Sequence, residues 1–260
     1  MLTNYNFGPL TPPALPRDDG LYSAGTTQLF ACGTRCITWD GRVYKYSRAM
    51  GTLDPDMGAK CYATQNLAYA AIVKAQAVGT TEVSCTFGAA DGYANSGLVV
   101  KDELAGGYCI IFSDTVPSMG RGIIGNSGVA ASGGTGIIYV DQPFNEAIAT
   151  STSYIEAMGS PYYDVRHDID GTKSVIGLPL IAATSGQFTW LQTWGPCWIA
   201  PQSGVGNSAY VRSVYARHDG SLDIRANIGT YVTDQCVGFV LQNAQAGTQG
   251  APFIMLTISV

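Results

Sequence analysis

Residues 185–200 read Ser185-Gly-Gln-Phe-Thr-Trp190-Leu-Gln-Thr-Trp194-Gly-Pro-Cys197-Trp198-Ile-Ala200, and how this run is read decides the fold. As a strand it places Phe188, Trp190, Gln192 and Trp194 on one face and Thr189, Leu191 and Thr193 on the other, because side chains alternate with period two. Gly195-Pro196 is expected to break the ladder, since proline has no N–H to donate. Cys197-Trp198-Ile199 then resumes it. Three tryptophans within nine residues concentrate apolar area, and each can bury about 200 Å². Large aromatics dominate cores, so the run is expected at the centre of a β core. The competing reading is an exposed platform for sugars or a partner protein.

The neighbouring sequence supports a β fold. Arg35-Cys-Ile-Thr-Trp39 leads into Asp40-Gly41, and Arg42-Val-Tyr-Lys-Tyr46 leads out. Asp-Gly between β-rich runs is a strong hairpin signal, because both residues tolerate positive φ. Further strand candidates are Glu82–Phe87, Leu98–Val100, Gly107–Ser113, Ile123–Ile124, Gly136–Val140, Ser174–Ala182, Tyr210–Val214, Leu222–Arg225, Tyr231–Leu241 and Pro252–Val260. Gly, Asp, Asn and Pro clusters separate them, as in sandwiches and barrels.

One helix is expected, over Thr64–Val78. Thr64 would cap it, Leu67, Ala71, Ile72 and Ala75 would form its apolar stripe, and Gly79 would end it. A short helix within Gln142–Met158 is a weaker candidate. Residues 1–20 carry Pro9, Pro12, Pro13 and Pro16 before Asp18-Asp19-Gly20, and proline-rich sequence favours extended backbone. The fold class is therefore mainly β: an antiparallel β-sandwich or barrel with one short peripheral α-helix and an extended N-terminal arm. The arm is residues 1–20 and the β-rich domain residues 21–260, with a subdivision near residue 80 left open. On a neighbouring subunit the arm would be anchored by Tyr5, Phe7, Leu10, Pro12 and Pro13.

Composition narrows the partners. The 260 residues are 46% hydrophobic but only 13% charged, with 32 glycines. About a quarter charged is usual, and interface cores are depleted in charge. A net charge of −5 without a basic run argues against electrostatic binding to nucleic acid or an anionic membrane. No stretch of about twenty apolar residues is present to span a bilayer. The first residues lack the basic and apolar regions of a signal peptide. Seven scattered cysteines are then expected to be reduced, buried thiols.

Motifs for chemistry are weak. Gly120-Arg-Gly-Ile-Ile-Gly125 matches the dinucleotide fingerprint in letters only, because turn residues and not a helix follow it. His167 and His218 each sit between Arg and Asp, as Arg166-His167-Asp168 and Arg217-His218-Asp219. Adjacent strand residues face opposite ways, so Asp168 is badly placed to orient His167. A metal would need a third ligand. Asp54, Asp56, Asp91, Asp102 and Glu103 could supply a glycosidase pair only if two met across a cleft; solvated loop acids are the simpler reading. No cofactor, metal or catalytic residue is assigned.

Three stretches carry a family resemblance. The first is Leu29-Phe-Ala-Cys-Gly-Thr-Arg35 with Asp40-Gly-Arg-Val-Tyr-Lys-Tyr46. The second is Asp102-Glu-Leu-Ala-Gly-Gly-Tyr108 with Gly122-Ile-Ile-Gly-Asn126 and Ser160-Pro-Tyr-Tyr163. The third is Val175-Ile-Gly-Leu-Pro179 running into Gly186 to Cys197. The chain resembles tailed-phage virion proteins, encoded beside the major capsid protein, that decorate or cement the head. The resemblance implies a non-enzymatic structural protein, made in the host cytoplasm and placed on the capsid surface. Its partners would be the major capsid protein and its own copies, as a homodimer or homotrimer bridging capsomers. Another virion role (tail, collar or glycan-binding adhesion module) is the alternative, and a polysaccharide-degrading enzyme comes last.

Overall fold

The computed structural model describes residues 20–62, 65–92, 98–113, 118–150, 152–202, 204–206, 210–227, 232–242 and 252–259. The arm with Tyr5, Phe7, Leu10, Pro12 and Pro13 lies outside the described residues. The described chain is mainly β. Its strands are β1 (Arg35–Ile37), β2 (Val43–Arg48), β3 (Ala59–Cys61), β4 (Gln65–Ala71), β5 (Glu82–Phe87), β6 (Tyr108–Ser113), β7 (Met119–Asn126) and β8 (Gly134–Val140). They continue as β9 (Ser153–Met158), β10 (Val165–Arg166), β11 (Val175–Pro179), β12 (Phe188–Cys197), β13 (Ser213–Arg217), β14 (Leu222–Asp223), β15 (Val232–Val240) and β16 (Ile254–Thr257).

The described chain forms two compact units, one within Ala63–Pro161 and the other from residues 20–62 together with those from Tyr162 onward. Each unit is built on one curled antiparallel sheet, as in sandwiches and barrels. The inserted unit holds six strands in the order β4-β9-β6-β7-β8-β5. Alternation drives its core: Val83, Cys85 and Phe87 of β5, Cys109 and Ile111 of β6, and Ile155 and Ala157 of β9 point inward. Gly136 lies opposite Cys85, and a Cβ there would stand 2.6 Å from the Phe87 ring, so the absent side chain makes room for Phe87.

The flanking unit holds ten strands in the order β10-β3-β11-β12-β16-β15-β13-β14, with β2 also paired to β12 and β1 to β2. The Asp40-Gly41 turn joins β1 to β2 as the sequence predicts, with Ile37 opposite Val43 and Gly41 at φ 85°. One core gathers Tyr44, Tyr46, Phe188, Trp190 and Leu191; the other gathers Cys197, Ile199, Val214, Val237, Val240, Ile254 and Leu256.

Four expectations are corrected. Among the described residues of the expected 64–78 helix no α-helix forms; β4 (Gln65–Ala71) runs through it, paired with β9. Leu67 and Ile72 are buried, but Ala71 is exposed. Alanine-rich sequence favours helix only weakly when isolated, and here β9 supplies a ladder. The register slips around Leu67, and Tyr69 sits at φ 48°, as in a β-bulge. Likewise the C-terminal part of 142–158 is β9, not helix.

The other two corrections concern β12. Gly195-Pro196 does not break it: Gly195 lies opposite Leu256 and Pro196 opposite Met255. The buried Gln192 amide donates to the carbonyls of Trp194 (3.2 Å) and Pro196 (3.0 Å). Nor do Trp190 and Trp194 share a face. Trp190 lies opposite Tyr46, but pairing slips between Gln192 and Trp194, which lies opposite Val43. Tyr46 and Val43, three apart, point opposite ways on β2, so the bulge flips Trp194 away from Trp190.

Candidate interaction surface

Beyond this bulge, β12, β16 and β15 present apolar residues on the side away from their core. Cys197, Ile254 and Val240 lie side by side and are buried. The positions between them point outward: Pro196, Met255 and Phe239 form one row across the three strands. At the sheet end Trp198, Phe253 and Leu241 are also exposed, with the Leu241 N–H donating to the Phe253 carbonyl at 2.9 Å. Exposure reaches 60% for Phe253 and 44% for Phe239. An antiparallel sheet with one solvated face normally carries polar residues there.

A second β-bulge aims this face. Val214 pairs with Gly238 and Tyr215 with Cys236, leaving Val237 as the extra residue. Val237 turns inward and Phe239 outward. A Cβ on Gly238 would lie 2.1 Å from the Met255 carbonyl oxygen, so this close strand approach requires glycine.

At the β12–β2 side, Gly195 takes φ 103° and the Arg42 side-chain stem packs over it. Arg42 belongs to the β1–β2 turn, where Trp39 is 93% exposed. This turn is braced. The Thr38 hydroxyl donates to Asp40 at 2.5 Å and Arg42 Nε donates to Asp40 at 2.7 Å. The Thr38 hydrogen bond, helped by Arg42, holds the Asp40 carboxyl below the usual carboxylate range against the opposing effect of desolvation. A large aromatic on a braced turn loses little freedom on binding, and tryptophan is enriched among interface hot spots.

The two His motifs do converge, around Lys60. Its fully buried ammonium donates to the carbonyls of Asp168 (2.7 Å), Asp170 (2.8 Å) and His218, and contacts the Asp168 carboxylate at 3.3 Å. His167 Nδ1 meets the Asp54 carboxylate and Nε2 lies 2.8 Å from the Asp219 carbonyl. Desolvation pushes the Asp219 carboxyl up, but hydrogen bonds from Ser221 and the charges of Arg217 and His218 outweigh it and hold the group low. The His-Asp segments thus form a polar knot tying three loops. The partner of His167 is Asp54, and the sequence neighbour Asp168 serves Lys60.

The other sequence candidates fall apart. Gly120–Gly125 lies within strand β7. Asp91 accepts from the Gly88 N–H at 2.6 Å, and Glu103 from the Val100 N–H at 2.6 Å, both as loop braces. The seven cysteines are all free thiols; Cys236 is exposed, contrary to the expectation of burial. Burial pushes the thiols of Cys32, Cys85, Cys109 and Cys197 up to about 12.

Sequence reasoning missed the outward face. Phe239, Phe253 and Met255 alternate with core residues, and a strand apolar on both faces does not announce which side is covered. Comparison of the chain with family models, curated proteins and solved structures finds no match.

Proposed function

We propose that this chain is a structural virion protein that binds the outside of a phage capsid and cements neighbouring capsomers. The observation that carries the reading is the outward apolar row of Pro196, Met255 and Phe239 with Trp198, Phe253 and Leu241 beside it. Exposed patches of this kind mark protein interaction sites, and aromatic residues with few charges suit interface centres. The resemblance of three sequence stretches to head decoration proteins supplies the partner, the major capsid protein, with further copies of the chain in a dimer or trimer.

Its mechanism is linkage. A protein that binds only the assembled shell stabilises it against the opened state by mass action. Individually weak contacts repeated over a lattice act multivalently, and closed symmetry prevents runaway growth. Electron cryomicroscopy of the intact particle tests the proposal. Stoichiometric density between capsomers is the expected result. Density confined to the tail, with heads bare, overturns it.

A further inference from the structure

The inserted unit carries a shallow cleft of about 320 Å³ on its six-stranded sheet, lined by Tyr108, Cys109, Gly120, Arg121, Gly122, Asp141 and Gln142. That volume is at the lower end for small-ligand sites. The cleft exists because of a local pattern. Tyr108 on β6 lies opposite Gly122 on β7, and Ile110 lies opposite Gly120. Two outward positions of β7 therefore have no side chain, and the Tyr108 ring, 62% exposed, stands uncovered beside a floor of bare backbone.

The rim is polar and fixed. Asp141 Oδ1 accepts from the Gly122 N–H at 3.1 Å, while the Asp141 N–H donates to the Gly122 carbonyl at 3.0 Å. A Cβ on Gly122 would lie 2.8 Å from Asp141 Oδ2, so the glycine lets the carboxylate lean over the trough. Gln142 adds an amide that both donates and accepts. Arg121 is occupied: it donates to the Gly120 carbonyl at 2.8 Å and the Pro143 carbonyl at 2.9 Å, and its guanidinium lies 5.5 Å from the Phe144 ring centre. An anionic ligand would thus meet a carboxylate with the nearby cation already engaged.

We infer that this cleft binds a neutral carbohydrate, one pyranose ring lying with its C–H face on Tyr108 and its hydroxyls on Asp141 and Gln142. An aromatic wall, a side-chain-free floor and a carboxylate beside an amide match a ring that is apolar on its face and hydroxylated at its edge. The inference concerns the inserted unit alone and stands or falls independently of capsid docking.

Gly120 provides a clean test. An added Cβ there meets nothing within 4 Å, and its φ is not positive, so Gly120→Leu fills the trough without straining the fold. Saturation-transfer NMR on the full chain, with maltohexaose, cellohexaose, laminarihexaose and chitohexaose as probes, measures binding. At least one probe is expected to bind with Kd about 1 mM or tighter. Gly120→Leu and Tyr108→Ala should each weaken that binding by about tenfold or more while the melting curve stays as in wild type, and Tyr108→Phe should retain it. Absence of binding by every saccharide, or undiminished binding in Gly120→Leu and Tyr108→Ala, overturns the inference.

Discussion

Trp190 and Trp194, four residues apart on strand β12, point to opposite faces of their sheet, because the strand bulges between Gln192 and Trp194. Trp190 is 2% exposed, with Tyr46 at 5.1 Å and Phe30 at 5.5 Å between ring centres. Past the bulge, Pro196 and Trp198 are exposed. One stretch of sequence thus supplies a core at its start and an outward face at its end.

The two halves should respond differently to truncation. Trp190→Ala is expected to cost about 3–5 kcal/mol of stability, as for a large buried aromatic. Trp198→Ala, where the side chain is already 37% exposed, should cost distinctly less, because less apolar area is lost from the interior. Urea denaturation of both variants checks this; equal losses would contradict the assignment of the two faces.

Lys60 makes a second prediction. Lys60→Met leaves the carbonyls of Asp168, Asp170 and His218 without their shared donor, and buried groups left unsatisfied are costly. A loss of about 3 kcal/mol is expected, as when one partner of a buried charged contact is removed. A denaturation midpoint unchanged from wild type would mean that the knot contributes nothing.

The buried thiols set an alkaline limit. Cys32, Cys85, Cys109 and Cys197 ionise in the folded protein only near about 12, against an ordinary value of 9.0. The folded pKa is raised, so the stabilisation is complete below the unfolded value and declines as pH rises from about 9 towards about 12, where unfolded chains lose thiol protons that folded chains keep. Thermal melts between pH 8 and pH 11 should show this decline. At pH 8 a thiol-specific reagent should label exposed Cys236 first and leave these four untouched until unfolding.

Much of the fold was legible wherever local chemistry decides it. Asp40-Gly41 specifies its hairpin through φ tolerance, and the expected strand Glu82–Phe87 has the same bounds as β5. What failed depended on distant partners. Residues 65–71 are strand because β9, some ninety residues away, pairs with them. The Gln192–Trp194 bulge exists through β2, whose pairing residue Val43 lies about 150 positions earlier. The polar knot brings Asp54, Lys60, His167 and Asp219 together from separate segments; strand alternation argued Asp168 away from His167, but nothing local could name Asp54 in its place. The outward face escaped because Phe253 and Met255 carry the same chemistry as the core residues Ile254 and Leu256.

Head binding by a charge-bearing variant checks the proposed docking of this outward face on the capsid. Phe253→Asp places a carboxylate at an exposed position of the face. Purified heads lacking the protein would be mixed with wild-type or variant chain, and bound copies counted after sedimentation. Occupancy is expected to fall by about tenfold or more, since a buried unpaired charge at an interface centre costs several kcal/mol, while the variant melts within a few degrees of wild type. Full occupancy by a folded Phe253→Asp chain would contradict it.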